Sequence, residues 1–105
     1  MPEIIIYTSN LCPYCTMAKR LLTEKGATYT ELNVDTTAGL REKMVQKTKR
    51  RTVPQIYIGE RHIGGFDDLR ALDLKKELDP LLAIWITMKP GKVTLFNRLL
   101  FLKNI

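Results

Sequence analysis

Histidine occurs once and cysteine twice in these 105 residues, and no uncharged stretch reaches the ~20 apolar residues that span a bilayer. The shortage of ligands bears first. Tetrahedral zinc takes four, whereas one chain offers Cys12, Cys15 and His62, so no structural zinc is expected within it. The opening Met1-Pro2-Glu3-Ile4-Ile5-Ile6-Tyr7 has no basic n-region, and a secretory leader is not expected either. Internal repeats and low-complexity tracts are absent. A soluble protein of the reducing cytoplasm is the expectation, and there a close cysteine pair reads as redox or metal chemistry rather than as a staple. A domain of this length buries roughly two thirds of its unfolded surface and needs no disulfide to fold.

Acidic residues are missing from one region only. Residues 1–82 hold 13 Lys and Arg against 11 Asp and Glu, whereas 83–105 add Lys89, Lys92, Arg98 and Lys103 with no acid. The formal charge of +6 is therefore largely a property of the last segment. The dense run Lys47-Thr48-Lys49-Arg50-Arg51 has no interleaved aromatics, so nucleic acid is not an expected partner.

What is present alternates strand and helix periods. Ile4 to Tyr7 reads as a buried strand, and Pro13 suits the first position of a helix that Gly26 ends. Thr28 to Val34 reads as a second strand, Thr36-Thr37 as the cap of a second helix carrying Leu40, Met44 and Val45, and Pro54 to Ile58 as a third strand. A short fourth strand surrounds His62, with Gly64-Gly65 breaking it. A third helix then starts at Asp67-Asp68, with Leu69, Leu72 and Leu74 as its packing face. This order predicts an α/β domain with a partly parallel sheet. Residues 83–105 form a separate basic, apolar extension.

With Pro13 at the first helical position, Cys12 becomes the N-cap, and the free N–H groups of the first turn can point at its sulfur. Thiols so placed have pKa values of about 3.5–7.5 rather than ~8.5. Full ionisation from ~3% at pH 7 multiplies the nucleophile ~30-fold. A fall of ~3.5 units costs ~50-fold in intrinsic reactivity at a Brønsted slope near 0.5, so the benefit lies mainly in departure. Cys15, inside the helix, is expected to be the more buried thiol. Two inert core cysteines would leave the intervening proline unexplained, and His62 on a short strand reads as a surface residue rather than a catalytic base.

Cys12-Pro13-Tyr14-Cys15, Thr52-Val53-Pro54-Gln55-Ile56-Tyr57-Ile58 and Gly64-Gly65-Phe66-Asp67-Asp68-Leu69 together resemble, in order and spacing, the signatures of dithiol glutaredoxins of the bacterial glutaredoxin 3 type. The resemblance covers residues 3–82. It implies a thioredoxin-like fold, a four-stranded mixed sheet flanked by three or more helices. It also implies a glutathione-dependent thiol–disulfide oxidoreductase acting on protein disulfides and glutathionylated proteins, with glutathione as co-substrate, regenerated through glutathione reductase, and a monomeric state. The alternative within the same fold is a glutathione-ligated iron–sulfur carrier.

Residue roles follow from the resemblance. Cys12 would be the nucleophile and Cys15 the resolving thiol, with Tyr14 walling the site. Val53, beside Thr52 and before a cis Pro54, would pair its backbone with the glutathione cysteinyl group. Gly65 would allow close approach, and the N–H groups of Phe66 and Asp67 would receive the γ-glutamyl carboxylate. The Asp67 side chain would meet the ligand ammonium. Family members often carry a basic residue where this chain has Ser9, so Arg50 or Arg51 is the expected replacement, together with Gln55. Phe66 stands where some relatives have a third cysteine. The extension has no counterpart in the family pattern; an appendage is expected, with membrane contact as the alternative.

Overall fold

The computed structural model describes residues 2–82; the extension expected over 83–105 lies outside the described residues. Seven elements follow in order: β1 (Ile4–Thr8), α1 (Pro13–Glu24), β2 (Thr30–Asn33), α2 (Leu40–Thr48), β3 (Gln55–Ile58), β4 (Arg61–Gly64) and α3 (Phe66–Leu74). Residues 78–82 are again helical. The strands form one sheet in the order β2-β1-β3-β4, with β1 parallel to β2 and the other two pairs antiparallel. This is the expected four-stranded mixed sheet.

Alternation along β1 and β3 divides the core. Ile4, Ile6, Ile56 and Ile58 pack with Ala18 and Leu22 of α1, Phe66 and Leu69 of α3, and Leu78 and Leu82. Tyr7 and Tyr57 turn to the other face and meet Met44 of α2 and Val34. Helices thus cover both faces, which is why β3 is buried along its whole length.

Three local expectations shift. Thr36-Thr37 do not cap α2; Gly39 does, in the left-handed conformation at φ 79°. The Asn33 side chain organises the preceding turn, accepting from the Asp35 N–H at 2.8 Å and the Thr36 N–H at 3.3 Å. Leu74 is 70% exposed, so α3 packs through Leu69 and in part Leu72. Finally, β4 runs through Gly64, and a bulge shifts the register so that Tyr57 faces His62 while Ile56 faces Gly64.

Candidate active site at the start of α1

β1, an inner strand, delivers the chain to the loop at its C-terminal end, and Cys12 takes extended backbone angles before Pro13 begins α1. Its sulfur accepts the Cys15 N–H at 3.1 Å, so the N-cap geometry read from the spacing is present. Cys12 and Cys15 are joined as a disulfide, with Cα atoms 5.2 Å apart. The two sulfurs differ in access: Cys15 is 2% exposed, whereas Cys12 is half-buried beside the exposed Leu11 and Tyr14. An incoming thiolate therefore meets Cys12 first.

The Val53–Pro54 peptide bond is cis, and the Val53 carbonyl oxygen lies 3.8 Å from the Cys12 sulfur. The Val53 N–H has no hydrogen-bond partner among the described residues. Beside this loop opens a cleft of about 200 Å³ lined by Tyr14, Arg50, Thr52, Val53, Pro54 and the Gly65–Asp68 turn. Tyr14 stacks on Phe66 with ring centroids 6.3 Å apart, closing one wall. A larger hollow of about 300 Å³ lies between α1 and α3, but no residue of the Val53 loop lines it.

At the cleft's far end Gly65 is the N-cap of α3. It has no side chain to cap the first turn, which leaves the Phe66 and Asp67 N–H groups open. The Gly65 N–H itself donates to Asp68 Oδ2 at 2.9 Å, and the same oxygen accepts from Arg50 Nη1 at 3.1 Å. These contacts, the backbone one foremost, hold the Asp68 carboxyl below the usual range. The close approach explains Gly64: its φ is +115°, and a Cβ there would collide with the Asp68 carboxylate.

The geometry separates residues that the sequence leaves together. Arg50 lines the cleft, whereas Arg51 lines another hollow with Arg41 and Val45. Gln55 is fully buried outside the cleft, bonded to Thr52 and His62. Asp68 and His62 were missed by sequence reasoning. An acid three residues after the N-cap is a recognisable signal for the first, but a histidine on a short strand carries none. Among the described residues no three His, Cys, Asp or Glu side chains converge as metal ligands would.

Comparison with known proteins gives a consistent answer. Residues 4–63 match the sequence pattern of the glutaredoxin family. The chain is 52% identical to glutaredoxin 3 of Escherichia coli K12 over 82 residues, which are 78% of this chain and 99% of that protein. It is 48% identical to a glutaredoxin of Pseudomonas aeruginosa over 83 residues, 79% of this chain and 99% of the relative. Among solved structures, the Brucella melitensis glutaredoxin superposes with a TM-score of 0.70 at 49% identity, covering 78% of this chain and 89% of that one. A buckwheat glutaredoxin–glutathione complex does so at 0.73 and 30% identity, covering 77% and 76%. A family pattern matched over residues 4–63, together with relatives covered over nearly their whole length, shows that the chain belongs to the glutaredoxin family of glutathione-dependent thiol oxidoreductases.

Proposed function

We propose that the cleft beside Cys12 holds the tripeptide of a glutathione mixed disulfide, and that the enzyme reduces glutathionylated proteins and protein disulfides through it. The observation that carries this reading is the backbone of Val53, whose N–H has no partner among the described residues and whose carbonyl lies 3.8 Å from the Cys12 sulfur. An extended cysteinyl group bonded to that sulfur would lie alongside Val53 and pair with both groups. The open Phe66 and Asp67 N–H groups at the start of α3 suit the γ-glutamyl carboxylate, and the exposed Asp67 side chain suits the ammonium. Arg50 is the cation for the glycyl carboxylate in place of Ser9, supported by its position in the cleft and its 49% exposed side chain. Tyr14 and Thr52 wall the ligand, and Gln55 supports Thr52 from beneath rather than touching it.

In the monothiol route the Cys12 thiolate attacks the glutathione sulfur of a glutathionylated protein. The protein thiolate leaves and takes up a proton, and glutathione remains on Cys12. A second glutathione thiolate then attacks the glutathione sulfur, forming glutathione disulfide and releasing Cys12 as a thiolate. In the dithiol route Cys15 attacks the mixed disulfide between Cys12 and a protein, which forms the observed bridge and frees the protein thiol. Two glutathione molecules reopen the bridge, the first through Cys12. The helix N-terminus and the Cys15 N–H stabilise the Cys12 thiolate, which makes each departure from that sulfur easy. Regeneration of glutathione by glutathione reductase, a monomeric state and a reducing cytoplasmic setting complete the proposal, since an enzyme that spends thiols works where thiols are maintained.

The test compares Cys12→Ser and Cys15→Ser with the wild type, using a glutathionylated peptide and a protein disulfide as substrates. Cys12→Ser should abolish both activities. Cys15→Ser should keep deglutathionylation and lose most reduction of the protein disulfide. Equal loss of deglutathionylation in both variants would contradict the assigned roles.

A further inference from the structure

His62 and Gln55 touch no proposed ligand position, yet together they hold the loop that carries Val53. Gln55 is fully buried on β3. Its side-chain nitrogen donates to the Thr52 carbonyl at 3.0 Å and to Thr52 Oγ1 at 3.3 Å. Its side-chain oxygen lies 2.7 Å from His62 Nε2. A backbone carbonyl can only accept, so Gln55 must turn its NH2 toward Thr52 and its oxygen toward His62. The proton between His62 and Gln55 therefore sits on Nε2, whether the ring is neutral or cationic. The last member dictates the direction of the whole chain: His62 donates to Gln55, and Gln55 donates to Thr52.

The ring of His62 is held in turn. The bulge between Ile56 and Tyr57 sets it opposite Tyr57, on which it stacks with centroids 4.9 Å apart. Tyr57 is covered on α2's side by Lys47, whose Nζ stands 4.3 Å from the ring centroid. Among the described residues nothing else bonds the Thr52 carbonyl or hydroxyl. The Thr52 carbonyl belongs to the peptide unit that ends at the Val53 N–H, so fixing the one orients the other.

We propose that His62 and Gln55 are positioning residues for substrate binding, setting the Val53 N–H in the direction in which the glutathione backbone meets it. The proposal rests on the reading of the cleft as the glutathione site. A buried amide is costly unless its bonds are made, and a leucine would fill the same volume without that requirement. The tie to Thr52 is what the amide supplies and a leucine would not.

The experiment measures KM and kcat for a glutathionylated peptide, with thermal melting, in wild type, Gln55→Glu, His62→Leu and His62→Gln. Gln55→Glu keeps size but sets a carboxylate oxygen against the Thr52 carbonyl. His62→Leu removes the donor, whereas His62→Gln restores an amide N–H near the place of Nε2. KM should rise about three- to tenfold in Gln55→Glu and His62→Leu, the worth of about one hydrogen bond, with kcat within about twofold. His62→Gln should recover most of the loss. A wild-type KM in both impaired designs would overturn the proposal, as would a His62→Gln variant no better than His62→Leu. If Gln55→Glu does not fold, the two His62 variants decide alone. Arg50→Ala and Asp67→Ala test the site beneath the proposal. An unchanged KM in both sinks the glutathione cleft itself, whereas a raised KM there with unmoved His62 and Gln55 variants sinks only the positioning role.

Discussion

Asp68, Glu31 and His62 all ionise below their ordinary values and respond to acid in the same sense. The Gly65 N–H, with Arg50 beside it, lowers the Asp68 carboxyl. The Thr8 hydroxyl, donating at 2.7 Å, and then Lys19 lower Glu31. Burial, followed by the Arg50 charge, lowers His62. Each group holds its proton less tightly in the folded chain than in the unfolded one. Each therefore stabilises the fold above its ordinary pKa and withdraws that support as pH falls through the lowered value. For His62 the loss begins below 6.5, and for Glu31 and Asp68 below 4.5 and 3.8. Thermal melts between pH 7.5 and 3 should show stability falling in two stages. His62→Gln should flatten the upper one; a melting temperature that rises on acidification would contradict the assignment.

At the scale of elements, α3 shows how far a pattern can be trusted. Leu69, Leu72 and Leu74 are the apolar residues that the sequence offers as its packing face. Leu69 is fully buried against the sheet, yet Leu74 stands in solvent because it lies about 140° around the helix from Leu69. Leu69→Ala should destabilise the protein by about 2–5 kcal/mol through lost burial and a residual cavity. Leu74→Ala should stay within about 0.5 kcal/mol. Denaturant titration of the two variants checks both, and equal effects would mean the face is misassigned. The strands were legible because the uninterrupted apolar runs Ile4–Tyr7 and Ile56–Ile58 report two covered faces. The cap of α2 was not, because the Asn33 side chain bonds the turn at Asp35 and Thr36 and delays the helix until Gly39. The bulge in β4 is equally silent in sequence, since it exists only as a relation between two strands.

For the molecule as a whole, the core reaches as far as Leu82 among the described residues. Leu78 and Leu82 are buried with Leu22 and Ile58. Lys25, at the end of α1, reaches Asp73 at 2.7 Å and Asp79 at 3.1 Å, tying α1 to α3 and to the helical residues 78–82. We propose that the domain ends near Leu82. This reading is supported by relatives that match the chain over nearly their full length. A chain cut after Leu82 should keep kcat/KM for a glutathionylated peptide within about threefold and melt cooperatively. A collapse of either would assign the extension to the core.

The cysteine spacing, the proline that starts α1 and the apolar strand runs were determined by the sequence alone. Each is a relation among neighbours, and local backbone geometry is enough to settle it. Which of Arg50 and Arg51 enters the cleft depended on Asp68, 18 residues away, and on the direction in which the chain leaves α2. That Gln55 and His62 brace the Val53 loop rather than line the cleft or the surface depended on the register of β3 against β4. Tertiary structure alone decides such matters, because adjacent side chains of the same type differ only in what the rest of the fold brings to meet them.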